Sequence, residues 1–327
     1  MSEWQSKLRY DPLPPLISSD NAALVFSVKR DLLEEDTASV ETLWDLPFVM
    51  KILNKQQEDG SWRYHGGKPD IRSQEHYNQL ETYRILGILV ETHDLTRKHS
   101  AIEKAAEFLF RFQTKKGDFR GIYGNQYTPN YTAAIMELLI KAGYDSDPRV
   151  ERGFRWLLSV RQTDGGWAIP IRTIGVKLKE KLNAATIGPD FSKPFSQLVT
   201  GVVLRAFASH KDYRLRDEAK IAGKLLASRF FQPDTYPDRR DASYWTKFSY
   251  PFWFTDLLSS LDSLSLLGFT PNESQIQKAL EWFITRQQDN GLWKLQLQKN
   301  RSIKDLHLWI DLAICRVLKR FFAHTLF

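Results

Sequence analysis

The sequence is poor in the residues and segments that mark several common classes of protein. Cys315 is the one cysteine in 327 residues, so the chain can form neither an internal disulfide nor a zinc site of several cysteines. No run approaches the ~18 apolar residues that cross a bilayer. The first residues have neither the basic start nor the apolar core of a signal peptide. We therefore expect a protein of the reducing cytoplasm.

Familiar catalytic and nucleotide-binding motifs are also missing. The chain has no Gly-x-Gly-x-x-Gly or P-loop after a strand, no Gly-x-Ser-x-Gly and no His-Glu-x-x-His. The net charge of +7 suits an anionic substrate or an acidic lipid surface. No recognisable nucleic-acid-binding module accompanies that charge. We expect no nucleic-acid partner and no cofactor.

Aromatic residues are abundant at 13%, with 10 Trp, and several of them recur in one short repeat. In each copy, a helix ending in Gln is followed by a short turn, Gly, one residue and an aromatic residue. Copies lie at 57–62, 162–167 and 288–293, with a looser one ending in Phe at 113–119 and a degenerate one at 231–234. Glycine ends a helix because it adopts the left-handed conformation at little cost. We expect the Gln side chain to bond the turn and the indole to pack between helices.

Two kinds of helix alternate along the chain. Each copy of the repeat closes an amphipathic helix with apolar residues at helical spacing, as in 149–158. More apolar helices, without a clear polar face, are predicted at 20–34, 74–91, 130–142, 196–209, 253–267 and 304–323. The alternation predicts an all-α fold. We expect a single-domain α/α toroid over 1–327, a ring of about six hairpins with inner and outer helices.

The Gln-Gly-Trp copies resemble the QW motifs of the terpenoid cyclase and protein prenyltransferase superfamily. The resemblance covers roughly residues 40–323 and implies a toroid whose central cavity binds isoprenoid chains. Squalene-type cyclases protonate an alkene with Asp-x-Asp-Asp, and the nearest run here is Asp145-Ser146-Asp147-Pro148. Prenyltransferases hold zinc with Asp-x-Cys and a distant His, whereas Asp256 has no Cys two residues later. The resemblance therefore predicts the fold but no reaction, and we predict no metal site.

The same resemblance places the cavity mouth at the loops after the repeats and at the N-termini of the inner helices. The densest cluster of aromatic residues there runs from Tyr244 to Asp256. A carboxyl group among aromatics has a raised pKa, so Asp256 is the candidate general acid, with a helix N-cap as its alternative role. The candidate substrate-binding residues are His76, Tyr77, Tyr127, Tyr131, Phe195, Tyr244, Trp245, Lys247, Tyr250, Phe252, Trp253, His307 and Trp309. These aromatics would equally suit a filled core.

Basic residues cluster in a long insertion at 168–194 and just before the aromatic cluster. The basic residues concerned are Arg172, Lys177, Lys179, Lys181, Lys193, Arg239 and Arg240. Loops of this length are often lids, and lysine binds phosphate as a point charge. A diphosphate head group and an anionic membrane surface are the candidate partners. A solvated loop is the alternative.

A separate stripe on the last inner helix carries His307, Asp311 and Cys315. His307 and Cys315 are two turns apart, ~12 Å, too far to share one metal ion. We expect a buried thiol and a hydrogen-bonded His–Asp pair. A metal site formed by His307 and Asp311 with a ligand from elsewhere in the chain is the alternative.

Three functions remain open at the level of sequence. The first is a cyclase-like or prenyltransferase-like protein that binds, and as an enzyme would transform, an isoprenoid or other hydrophobic molecule. The second is a non-catalytic binding module on the same toroid. The third is a carbohydrate-processing α/α barrel, which needs paired carboxylates facing the cavity, with Glu75 and Asp256 as the candidate pair. The shape and lining of the cavity distinguish them.

Overall fold

The computed structural model describes residues 3–68, 72–176, 181–182, 184–298 and 303–322. These ranges are predominantly helical. The short strands β1 (Lys247–Phe248) and β2 (Gln296–Leu297) pair in parallel. No helix in the described ranges is long and apolar enough to cross a membrane.

The helices alternate between an outer and an inner layer. In chain order they are α1 (Leu13–Ile17), α2 (Ala22–Val28, continued by Lys29–Leu33), α3 (Pro47–Leu53), α4 (Gln74–His93), α5 (Ser100–Phe110), α6 (Pro129–Leu139, continued by Ile140–Tyr144), α7 (Pro148–Ser159), the short α8 (Pro170–Thr173), α9 (Gln197–Ser209), α10 (Asp217–Ser228), α11 (Leu257–Leu266), α12 (Ser274–Ile284) and α13 (Leu306–Phe322). The inner helices are α2, α4, α6, α9, α11 and α13. Each contacts the next, and α13 contacts α2. The ring is closed, which confirms the predicted toroid.

The two layers differ in burial as their sequences predict. The inner helix α9 is buried from Val199 to Ala208 on every side, because neighbours cover both of its faces. The outer helix α7 instead buries a stripe that includes Val150, Phe154 and Leu157, with exposed residues on the opposite face. This is the pattern of a helix that packs on one side only.

The repeated turns connect the layers through the same hydrogen bonds each time. The indole Nε1 of Trp62, Trp167 and Trp293 donates to the carbonyl ten residues earlier, at 2.7–2.9 Å. The backbone N–H of each aromatic residue donates to a side chain on the following inner helix. That acceptor is Thr82, Thr132, Thr200 or Asp311.

The glutamine of the turn is one residue earlier than the repeat suggests in two copies. Gln56, Gln113 and Gln287, rather than Gln57 and Gln288, donate to the carbonyl four residues later. Each also donates to a carbonyl at or before the next outer helix, that of Ala101, Arg149 or Tyr10, at 2.8 Å. In these three copies, the glutamine that bonds the turn lies six residues before the aromatic residue. The last of these bonds joins the end of the ring to its beginning.

In the third turn, an arginine takes the place of that glutamine. Arg161 lies six residues before Trp167, and its Nε donates to the carbonyl of Gly165 at 3.0 Å. Gln162, which the repeat suggests, donates instead to the carbonyls of Asp190 and Lys193. It therefore anchors the end of the 168–194 insertion.

Charged side chains close the C-terminal end of the ring of inner helices. Glu137 on α6 bonds Lys141 at 2.9 Å and Arg205 of α9 at 2.8 Å. Arg316 of α13 and Arg30 both bond Asp31, at 2.5 and 2.6 Å. Because these charges are buried or half-buried and paired, they fix the relative positions of four inner helices.

Candidate functional site

A central cavity of about 720 Å³ lies toward the N-terminal ends of the inner helices. It is bounded by α4, α6, α9 and the loops that precede α11. The lining residues are Tyr64, Leu80, Glu81, Tyr83, Arg84, Tyr123, Asn130, Tyr131, Ala134, Ile169, Leu198, Val202, Asp238, Arg239, Ser249, Trp253, Phe254 and Gln298. The middle of the toroid therefore contains a space large enough for an organic ligand.

Six of the eighteen lining residues are aromatic: Tyr64, Tyr83, Tyr123, Tyr131, Trp253 and Phe254. Trp253 meets Tyr83 edge to face at 5.4 Å, and Tyr131 meets Tyr83 at 6.4 Å and Tyr123 at 5.1 Å. Gly87 allows this arrangement, since a Cβ there would lie 2.7 Å from the Trp253 ring. The rings present their faces or edges to an apolar or cationic ligand.

Four charged residues interrupt the aromatic wall. Glu81 is bonded by Arg84 at 2.6 Å. Both carboxylate oxygens of Asp238 accept hydrogen bonds from the Arg172 guanidinium, at 2.6 and 2.7 Å. Arg239 donates to Gln298 at 3.2 Å, while its Nε and Nη2 have no partner in the described part of the chain.

Of the predicted substrate-binding residues, the structure brings Tyr131 and Trp253 together in the cavity wall. Tyr77 lies one layer behind, stacked on Tyr64 at 5.2 Å. His76 packs against Phe112. Tyr131 and Trp253 thus lie in the cavity wall, and the substrate-binding role of all these residues stays a prediction.

The other predicted residues do not line this cavity. Three of them pack against residues elsewhere in the chain: Tyr127 against Trp156, Phe195 against Gly166 of the third turn, and Trp245 against Phe230. Lys247 lies over the ring of Tyr244, and the same ring packs against Arg239. Tyr250 stacks on Trp309 and touches Phe252, and its hydroxyl reaches the carbonyl of Glu91. His307 is exposed. Most of the 244–256 cluster is packed among the helices, because its rings have partners on the elements around them.

Asp256 occupies the N-cap of α11 and is fully buried. Its Oδ1 accepts from the N–H of Ser259 at 2.8 Å, and the Ser259 hydroxyl accepts from the N–H of Asp256 at 2.9 Å. Oδ2 has no partner in the described residues. Burial raises the pKa of Asp256 to about 7, against the opposing effect of Ser259. The group has the predicted electrostatics, but it does not line the cavity.

Glu75 and Asp256 do not form a carboxylate pair. Glu75 is exposed in the first turn of α4, while Asp256 is buried. The two carboxylates that do line the cavity, Glu81 and Asp238, are each neutralised by an arginine. The described residues therefore offer no free acid and base pair facing the cavity.

The insertion touches the cavity through Ile169. Arg172 pairs with Asp238, and Lys181 and Lys193 are exposed. Lys177 and Lys179 lie outside the described residues.

The expected His–Asp pair on α13 does not form. Asp311 accepts the N–H of Trp293 at 3.2 Å, and its Oδ2 has no partner in the described chain. Burial raises the pKa of Asp311 to about 8. Cys315 is buried, as expected.

Comparison with known families identifies the fold's relatives. The model of the squalene-hopene cyclase C-terminal domain matches residues 78–186 and 133–308, which together cover well over half of the chain. The chain belongs to this family. The match agrees with the closed ring of helices and with the resemblance of the repeated turns.

Two curated relatives match shorter stretches. A probable squalene–hopene cyclase from Sinorhizobium fredii is 27% identical over 133 residues, 36% of this chain and 20% of that protein. A terpene cyclase–glycosyl transferase fusion protein from Humicola fuscoatra is 26% identical over 181 residues, 48% of this chain and 13% of that protein. The aligned part of the chain thus spans a fifth or less of each relative.

The likeness of this chain to solved structures is distant. A type II terpene cyclase from Scytonema has a TM-score of 0.34 at 12% identity, covering 85% of this chain and 97% of its own. An α-amylase from Clostridium perfringens has a TM-score of 0.45 at 13% identity, covering 90% and 85%.

Proposed function

We propose that this protein binds an isoprenoid-like hydrophobic molecule in the central cavity. The observation that carries the proposal is the aromatic wall around a space of about 720 Å³. A concave, mostly apolar site with a few polar groups is the usual form of a small-molecule site. Membership of the squalene-hopene cyclase C-terminal domain family supports an isoprenoid as the ligand.

The test of binding uses the neutral isoprenoid alcohols farnesol and geranylgeraniol. We expect both to raise the melting temperature and to be retained in native mass spectra, because a ligand that binds only the folded state stabilises it. Ala134→Phe, which fills part of the cavity, should weaken both effects. Ala38→Phe adds the same side chain at an exposed loop position and should leave them unchanged. Equal binding by the Ala134 variant, with its circular dichroism unaltered, would contradict the proposal.

As an enzyme, the protein would be a cyclase or a prenyltransferase-like catalyst with Asp256 as its acid. The raised pKa and unpartnered Oδ2 of Asp256 favour this second candidate. The observation bearing against direct contact is that Asp256 does not line the cavity. Asp256→Asn should abolish turnover of a bound isoprenoid while leaving its binding intact. Turnover that persists in this variant would rule out Asp256 as the acid.

We also propose a cytoplasmic location, on the single cysteine. Contact of the basic insertion with an anionic membrane stays a prediction, and lipid-vesicle flotation would test it.

A further inference from the structure

We infer that a second cavity, separate from the central one, binds a small aromatic molecule through an O–H or N–H that the ligand donates to Nε2 of His93. This cavity has a volume of about 310 Å³ and shares no lining residue with the central cavity. It lies where the C-terminal end of α4 meets the N-terminal ends of α2 and α3 and the start of α13. The inference does not depend on the proposed function.

The tautomer of His93 is fixed by its neighbours. The hydroxyl of Thr92 donates to the carbonyl of Ile88 at 2.6 Å, and the same hydroxyl oxygen lies 2.7 Å from Nδ1 of His93. Because the hydroxyl has one proton and the carbonyl can only accept it, Nδ1 must supply the proton of the second hydrogen bond. In the neutral imidazole, Nε2 then has a lone pair and is a hydrogen-bond acceptor.

That acceptor faces the cavity and has no partner. His93 lines the cavity and is only 6% exposed. Burial lowers the pKa of His93 to about 4, against the opposing attraction of the Ile88 carbonyl, so the imidazole is neutral at pH 7. Nε2 has no hydrogen-bond partner in the described part of the chain, and it is not one of the unpartnered atoms that the protein seals from solvent. A donor in the cavity would satisfy it.

The rest of the lining favours an aromatic ring. The ring of Phe48 stacks on the imidazole, with 5.4 Å between centroids and 24° between planes. Asn21 and Thr92 spend their polar groups on bonds within the protein. Asp20 and Lys304 are exposed. The other lining residues are apolar: Ala22, Leu46, Pro47, Ile303 and Trp309. An aromatic ligand packs well against such a wall, and the buried acceptor selects one that carries a donor.

The experiment compares pairs of probes that differ only in the donor. The probes are 4-fluorophenol against 4-fluoroanisole, and 5-fluoroindole against its N-methyl derivative, with Kd measured by fluorine NMR. We expect each donor to bind about fivefold to tenfold more tightly than its methylated partner, since one hydrogen bond to a buried neutral group contributes roughly that factor. The tighter of the two donors identifies the ligand as an O–H or an N–H compound.

Variants assign the binding to this cavity. His93→Phe keeps a ring beside Phe48 but removes the acceptor, and it should abolish the preference for donors. His93→Gln restores an acceptor through its amide oxygen and should keep part of the preference, which guards against misfolding of the Phe variant. Ala22→Phe fills the cavity from an exposed lining position and should block binding. Ala38→Phe, outside the cavity, is its matched control.

Nitrogen-15 NMR of the unmodified protein tests the tautomer directly. We expect His93 to be protonated at Nδ1 and not at Nε2, and 4-fluorophenol to shift the Nε2 resonance. Protonation at Nε2, equal binding of donors and methylated probes, or a preference that survives in His93→Phe would each overturn the inference. So would failure of every probe to bind.

The central cavity provides the last control. Ala134→Phe narrows that cavity and should leave the binding of these probes unchanged. Loss of their binding in this variant would place them in the central cavity and overturn the second site. Failure of farnesol and geranylgeraniol to bind would overturn the proposed function alone.

Discussion

Asp311 is expected to weaken the fold at neutral pH, and replacing it with threonine should stabilise the protein. Asp311 occupies the position that Thr82, Thr132 or Thr200 occupies on the inner helices after the other three turns. Like those threonines, it accepts a hydrogen bond from the backbone N–H of the aromatic residue in the turn. Its second oxygen is buried without a partner in the described chain. A threonine hydroxyl would accept the same N–H without a buried carboxyl.

The magnitude follows from the pKa of the buried group. Burial raises the pKa of Asp311 from 3.8 to about 8, so between these values the folded protein holds a proton that the unfolded chain has released. Stability is therefore fully present below the unfolded pKa, falls as the pH rises toward 8, and is level above it. Each pH unit in this range costs about 1.4 kcal/mol. At pH 7 the carboxyl costs the fold on the order of 4 kcal/mol.

Urea unfolding followed by tryptophan fluorescence at pH 4, 5.5, 7 and 8.5 measures this cost. We expect Asp311→Thr to unfold at higher urea than the unmodified protein at pH 7, with a gain of about 2–3 kcal/mol after the loss of packing volume. The gain should shrink toward pH 4. Asp311→Asn is the control: it should flatten the pH dependence with a smaller gain, because its amide leaves a buried group unpaired. An unchanged pH dependence in both variants would refute the reasoning.

Two further substitutions test the hydrogen bonds that hold the ring together. Gln56→Ala removes two hydrogen bonds to backbone carbonyls and should lower the free energy of unfolding by about 1–3 kcal/mol. The control Gln57→Ala loses only hydrogen bonds of 3.3 Å and should lower it less. Equal losses in the two variants would contradict the six-residue spacing. Glu137→Gln removes the negative charge that Arg205 and Lys141 share in a buried site, and it should lower the free energy of unfolding by about 3–5 kcal/mol. A loss below about 1 kcal/mol in urea unfolding would show that this ion-pair network contributes little to stability.

The fold could be predicted because it depends on patterns that repeat. Helical spacing, the apolar inner helices and the glycine-ended turns each occur several times, and each copy supports the same ring. The glutamine position could not be read as reliably, because Gln56-Gln57 and Gln287-Gln288 are doublets and the chemistry of both members is the same. The constant distance of six residues to the aromatic was the available signal, and it would also have singled out Arg161.

The site was harder to predict because aromatic residues serve two purposes in this fold. Trp253 and Tyr250 are three residues apart in one cluster, yet one lines the cavity and the other stacks on Trp309. Local sequence does not distinguish them, since the difference depends on which distant helix lies opposite. Glu81 and Asp238 were missed for the same reason. Their position in the cavity wall and their pairing with arginines depend on how distant segments pack in the folded chain.

The charge balance of the cavity bears on which chemistry the toroid can perform. Each carboxylate that lines the cavity, Glu81 and Asp238, is paired with an arginine. Burial raises the pKa of Asp256 and of Asp311, and these two carboxyls lie at a helix cap and behind a turn. Proton donation to a ligand would thus require Asp256 to move into the cavity, which it does not line, whereas contact of an apolar ligand with the lining aromatic rings involves neither group. This geometry supports the binding role that we propose more directly than it supports acid-initiated cyclisation.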